Sequence, residues 1–125
     1  MRLAINAAII KERKILLVKK KEIWILPGGK PELEESDLEC LCREVREELS
    51  GTELKNIKYY KEFEGITPYK RDLLKAKVYF AEINGSLGLP AAEISAYAWV
   101  NDTNSYNLSD ITTKIIDSLQ KDQYL

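Results

Sequence analysis

The sequence contains no histidine, and that absence removes Ser-His-Asp and Cys-His nucleophiles, imidazole-ligated zinc and imidazole general bases together. Chemistry in this chain must rest on carboxylates, lysine, tyrosine, serine or threonine. Cysteine is nearly as scarce. Cys40 and Cys42 stand two apart in a segment that reads as helix, where side chains diverge by roughly 200° and cannot bridge. Both are expected as reduced thiols, in keeping with a cytoplasmic protein. No apolar run is long enough to span a bilayer, and the apolar patch within Met1 to Ile10 lacks the layout of a signal peptide. Charge of one sign is not in excess either: 19 Lys and Arg meet 20 Asp and Glu, a formal net charge of −1. No basic surplus is available for nucleic-acid phosphates, so neither a nucleic acid nor a membrane is an expected partner.

What remains is a chain of 125 residues, 45% hydrophobic and 31% charged, which matches a folded globular domain rather than a disordered one. No repeat, linker or low-complexity tract divides it, so a single domain over residues 1–125 is expected. Leu3 to Ile10 and Lys14 to Val18 are apolar, β-tolerant runs around Lys11-Glu12-Arg13, which reads as a hairpin without an Asn-Gly turn. Lys19-Lys20-Lys21 is a like-charge run that reads as a solvated loop, with phosphate attraction as its functional alternative. The run Ile23 to Leu26 ends at Pro27-Gly28-Gly29, a turn in which proline fixes φ and the glycines permit otherwise forbidden angles.

Ser36 and Glu39 form a capping-box pattern, and a helix is expected from about Asp37 to about Leu49. At about 100° per residue, Leu38, Leu41, Cys42, Val45 and Leu49 share one stripe, which predicts the core-facing side and makes Cys42 a core residue. Ile57 to Glu64, Leu73 to Ile83 and Ser95 to Val100 read as strands, with Tyr59 and Tyr60 on opposite faces. Ser109 caps a final helix whose Ile111, Ile115, Ile116 and Leu119 lie on one side. Strands on both sides of a central helix predict an α+β protein, an α/β/α sandwich with a mixed sheet flanked by helices.

Glu44, Glu47 and Glu48 stand at i, i+3 and i+4. Alone, such a face reads as solvated surface, yet each like-charge pair costs an isolated helix roughly 0.2–0.5 kcal/mol, and a divalent cation reverses the sign. Carboxylate oxygens without imidazole or thiolate favour a hard ion such as Mg²⁺, whose remaining positions go to water and phosphate. Gly29, Glu35 and Arg43-Glu44-Val45-Arg46-Glu47-Glu48 follow the spacing G-x5-E-x7-R-E-U-x-E-E-x-G-U, which resembles the signature of the Nudix hydrolase family. The final glycine of that signature falls on Ser50, with Gly51 one place later, so the left-handed residue that ends the helix is expected at Gly51.

The resemblance covers essentially the whole chain and implies a compact, MutT-like member with the Nudix sheet flanked by helices. It implies water attack on a phosphorus of a nucleoside diphosphate linked to another group, with Mg²⁺, or Mn²⁺, required. Carried over by position, Gly29, Glu44, Glu47 and Glu48 correspond to metal ligands. Glu47, Glu48, Arg43 and Glu93 correspond to catalytic residues, with Glu35 in support. Glu93 precedes Trp99 on a loop where family members place a metal ligand or general base; otherwise it is a solvated glutamate. Trp24, Tyr69 and Asp110 are candidate substrate contacts, and Asn107 or Asp110 could meet a purine edge. Asp110 also reads as a helix-start charge, and Trp24 and Trp99 as core or wall aromatics. Cys40 has acidic neighbours that raise a thiol pKa, which argues against a reactive role.

A (d)NTP or an oxidised (d)NTP, cleaved to the monophosphate and pyrophosphate, is the expected substrate. Pro68 and Tyr69 fit ADP-ribose and dinucleoside polyphosphate members as well, and a nucleotide-binding module without catalysis is the alternative of a different class. A small-molecule nucleotide is the expected partner of a monomer or homodimer.

Overall fold

The computed structural model describes residues 1–68 and 70–125. Strand β1 (Arg2–Lys11) pairs in parallel with β6 (Leu73–Gly85), and β5 (Thr52–Ile66) lies antiparallel on the far side of β6. At its end β1 turns into β2 (Lys14–Lys20), which pairs with β3 (Ile23–Ile25) and β7 (Ile94–Val100). The two-residue β4 (Gly28–Gly29) pairs with Ile5 and Asn6 of β1. Helix α1 (Asp37–Glu48) covers one face of this mixed sheet and α2 (Asp110–Lys121) the other, giving the expected sandwich.

The pleat explains how one apolar run feeds both layers. On β1 and β2, Ile5, Ala7, Ile9, Leu16 and Val18 pack toward α1, while Ala8, Ile15 and Leu17 pack toward α2. Buried on both sides, these strands are continuously apolar rather than alternating. The hairpin forms as expected, with Lys11 opposite Lys14 and both central residues left-handed, Glu12 at φ 53° and Arg13 at φ 61°. Two-residue hairpins need these angles to match strand twist, and non-glycine residues adopt them at a cost. Strand β5 begins five residues earlier than its alternation suggested, because register shifts at Lys55/Lys58 and Tyr59/Lys61 break the period of two. Tyr59 meets Tyr79 on one face, and Tyr60 meets Phe80 and Tyr124 on the other.

Helix α1 starts with the full capping box, Ser36 accepting from the Glu39 amide and Glu39 from the Ser36 amide. Asp37 ties this end to β6 through Tyr79 at 2.7 Å and Lys77 at 3.3 Å. Its buried face, however, is rotated from the expected stripe. Leu38 is exposed and Cys42 half-buried, whereas Cys40, Leu41, Val45 and Glu48 are buried. The core assignment of Leu38 and Cys42 is therefore corrected: the face that meets the sheet is centred near Glu48. Helix α2 buries Ile111, Ile115, Ile116 and Leu119 as its periodicity predicts, with Thr112 among them. Among the described residues, no helix is long and apolar enough to cross a membrane.

Candidate active site

The C-terminal end of α1 and the Gly28-Gly29 segment approach each other closely. A side chain at Gly28 would run into the backbone of Ile5 and Asn6, and its φ of 137° suits glycine. A Cβ on Gly29 would lie 2.5 Å from Cδ of Glu44. Only a bare backbone lets the carboxylates of α1 reach this strand. The Gly28 amide donates to Oε1 of Glu48 at 3.0 Å, and the Cys40 thiol donates to the Gly29 carbonyl at 3.6 Å. Burial pushes the Cys40 thiol up to about 12, with Glu35 adding to the effect, so this cysteine is a packing and hydrogen-bonding group rather than a nucleophile.

Glu48 is 3% exposed. Burial raises its carboxyl pKa to about 7 against the opposing pull of the Gly28 amide and of Lys20, whose Nζ is 4.0 Å away. Burial also raises Glu44, opposed by its hydrogen bond from Arg43. Arg43 organises the surrounding acids. Its Nε and Nη2 form a two-pronged bond to Glu35 at 2.7 and 3.0 Å, while Nη1 donates to Glu44 at 3.0 Å and reaches Glu47 at 3.4 Å. Nη2 also donates to the Lys30 carbonyl. This planar fork holds three carboxylates at once, which a lysine could not do. It lowers the Glu35 carboxyl to about 2 and raises the arginine further.

Glu93 follows Ala92, a left-handed residue at φ 55°, and its Oε2 lies 3.2 Å from Lys20 Nζ. Lys20 thus stands between the buried Glu48 and the exposed Glu93. A register shift at Lys19/Lys20 in the β2–β7 pairing occurs at this point. Alongside runs a cleft of about 500 Å³. Lys20, Lys21, Glu93, Gly28 and Gly29 line its polar part; Ala4, Leu26, Leu74, Ile111 and Ile115 line the rest.

Among the described residues, no three His, Cys, Asp or Glu side chains converge into a ready-made ion cluster. The donor set nevertheless suits a hard divalent cation: Glu44, Glu47, Glu48 and the Gly29 carbonyl are all oxygen donors. The two whose pKa burial raises are those that positive charge would restore to the ionised form.

Other candidates lie elsewhere. Trp24 is absent from the cleft lining and packs edge-on against Tyr106, with centroids 5.1 Å apart, while its strand neighbours Ile23 and Ile25 face the cleft. Asp110 accepts from the Ile66 amide at 2.9 Å and pairs with Lys114, so it fastens α2 to β5. Asn107 is occupied with the Glu22 carbonyl. Tyr69 lies outside the described residues, and Pro68 lines the cleft. Lys20, Ser109 and Thr112 are cleft residues that the motif did not supply; for Lys20, its place in the cationic run Lys19-Lys20-Lys21 was the available signal.

The NUDIX domain family model matches residues 1–105. The chain belongs to the Nudix family. No curated protein sequence matches it. Its fold resembles the MutT NUDIX hydrolase of Burkholderia pseudomallei, at 28% identity and TM-score 0.78, over 93% of this chain and 95% of that one. The NUDIX domain of Shewanella oneidensis NrtR, solved with ADP ribose, matches at 18% identity and TM-score 0.77 over 98% of this chain and 88% of that one. An ADP-ribose pyrophosphatase from Streptococcus suis matches at 21% identity and TM-score 0.69 over 98% and 92%. Membership of the Nudix hydrolases makes the protein a pyrophosphohydrolase, and such enzymes generally use divalent metal ions such as Mg²⁺.

Proposed function

We propose that this protein, taken as one Nudix unit over residues 1–125, hydrolyses a nucleoside triphosphate, normal or oxidised, to the monophosphate and pyrophosphate in the presence of Mg²⁺ or Mn²⁺. The observation that carries the reading is the buried Glu48, pinned by the Gly28 amide beside the cleft, with Lys20 reaching both it and Glu93. Glu44, Glu47, Glu48 and the Gly29 carbonyl would hold the ion, which supplies charge neutralisation on the phosphate oxygens and a more acidic water. Arg43 orients Glu44 and Glu47, and Glu35 fixes Arg43. Glu93 is the rim carboxylate suited to take the proton of the attacking water as its oxygen bonds to phosphorus and the bridging P–O bond between the α and β phosphates breaks. Lys20 balances negative charge between Glu48 and Glu93. The free thiols of Cys40 and Cys42 suit a cytoplasmic enzyme.

A second reading, ADP-ribose, is favoured by Pro68 in the cleft wall and by the ADP ribose seated in the NrtR domain. Chromatography of products after incubation with Mg²⁺ and nucleoside triphosphates, 8-oxo-dGTP, ADP-ribose and a diadenosine polyphosphate separates the readings. Pyrophosphate release from a triphosphate supports the first; AMP and ribose 5-phosphate from ADP-ribose replaces it with the second. Survival of every substrate with both metals overturns both.

A further inference from the structure

The apolar part of the cleft is formed by β1, β3, β6 and the first turns of α2, and the side-chain donors of Asn6, Ser109 and Thr112 can be followed one at a time. Asn6 commits its amide nitrogen to the carbonyls of Leu26 and Pro27, at 3.3 and 3.4 Å. Ser109 accepts from the Thr112 amide at 3.2 Å and spends its own proton on Oγ1 of Thr112 at 2.7 Å. Thr112 therefore accepts through its hydroxyl, and the hydroxyl proton remains. Its neighbour Thr113 passes the equivalent proton back along the helix to the Ser109 carbonyl at 3.0 Å, but Thr112 makes no such bond among the described residues. Thr112 is 1% exposed and lines the cleft together with Ile111 and Ile115. A buried hydroxyl proton without an acceptor costs free energy, and a ligand acceptor recovers it. Asn107 and Asp110, the residues expected to meet a base edge, are held by Glu22 and by Ile66 with Lys114.

We propose that Thr112 is a specificity-determining residue, donating its hydroxyl proton to an acceptor on a nucleobase that lies in the apolar cleft between β1 and α2. The proposal rests on the nucleotide reading above. A planar heterocycle matches the aliphatic walls Ile25, Leu74, Ile111 and Ile115, and a ring nitrogen or carbonyl oxygen supplies the acceptor. Discrimination then comes from leaving the hydroxyl unpaired when the base lacks an acceptor at that position.

The test is titration calorimetry in Mg²⁺ with dGMP, dAMP, dCMP and dTMP as probes and ribose 5-phosphate as the baseless comparison. The wild type is expected to bind at least one nucleotide more tightly than ribose 5-phosphate. Thr112→Val, which keeps the shape and removes the proton, is expected to weaken that nucleotide about tenfold, leave ribose 5-phosphate unchanged, and regain the affinity as Thr112→Ser. Thr113→Val controls for damage to the helix start, since it removes a hydroxyl bond to the Ser109 carbonyl from a residue that does not line the cleft; it is expected to preserve the nucleotide preference. Unchanged affinity in Thr112→Val, equal weakening of nucleotide and ribose 5-phosphate, or no wild-type preference for a base would each overturn the inference. Turnover by the wild type, measured separately, reports on the nucleotide reading itself.

Discussion

The two helices that close the sandwich have the same length, 12 residues each, and are put to different uses. Helix α2 obeys its own periodicity: Ile111, Ile115, Ile116 and Leu119 are buried, and the charged residues Lys114, Asp117 and Lys121 are exposed. Helix α1 departs from its periodicity by leaving Leu38 in water and burying Glu48 in the centre of its packed face. A helix built only for stability would turn the leucine inward and the glutamate outward. Departures from local consistency concentrate where function is housed, and the loss in packing is offset elsewhere in the fold. Here Arg43, the Asp37 tethers and the Gly28 amide hold α1 in the less apolar orientation.

The comparison breaks most sharply at Glu48. Glu48→Gln is expected to reduce kcat by about 10²- to 10⁴-fold with no loss of Tm, because the carboxamide avoids the cost of a buried charge; an active variant would remove Glu48 from the site. Next comes packing. Ile115→Ala in α2 is expected to cost about 2–5 kcal/mol in denaturant unfolding, while Leu38→Ala in α1 stays within about 0.5 kcal/mol. Similar costs at the two positions would mean that the α1 rotation described here is wrong.

A third difference lies in pH. The Glu48 pKa is raised to about 7 when folded, so between the unfolded value near 4.5 and that point the native state binds more protons. Stability associated with Glu48 is therefore full below about pH 4.5 and lost as pH rises through about 7. Without added metal, the Tm of Glu48→Gln should exceed that of the wild type at pH 8, and the gap should close by about pH 4.5. Glu35 runs the other way. Its carboxyl is lowered to about 2 by the Arg43 fork, so its contribution is present above the unfolded value and fades as pH falls toward 2. Glu35→Gln should therefore flatten the acid limb of the Tm profile. The smallest effect is at the hairpin, away from both helices: Glu12→Asn with Arg13→Gly is expected to gain about 1 kcal/mol by relieving two left-handed residues, read as a shift in the denaturation midpoint.

Features governed by near neighbours were legible in the sequence: the capping box at Ser36, the face of α2 and the β1–β2 turn. The helix stop differs from the expectation: α1 is capped at Leu49, with φ −118°, and the left-handed Gly51, at φ 84°, follows in the turn to β5. Those set by distant partners were not. The rotation of α1 depends on an amide 20 positions away. The start of β5 is concealed by its register shifts, and Asp110 is drawn off to the Ile66 amide. In the site, the motif positions Glu35, Arg43, Glu44, Glu47 and Glu48 gather around one guanidinium and one glycine strand. Trp24 alternates away from the cleft because its neighbours Ile23 and Ile25 face it.

The grip on Glu48 comes from a main-chain amide rather than from a side chain, and this bears on how such a protein can vary. A contact made by a side chain is lost when its residue is replaced, whereas replacing Gly28 reshapes the strand but only proline deletes the N–H.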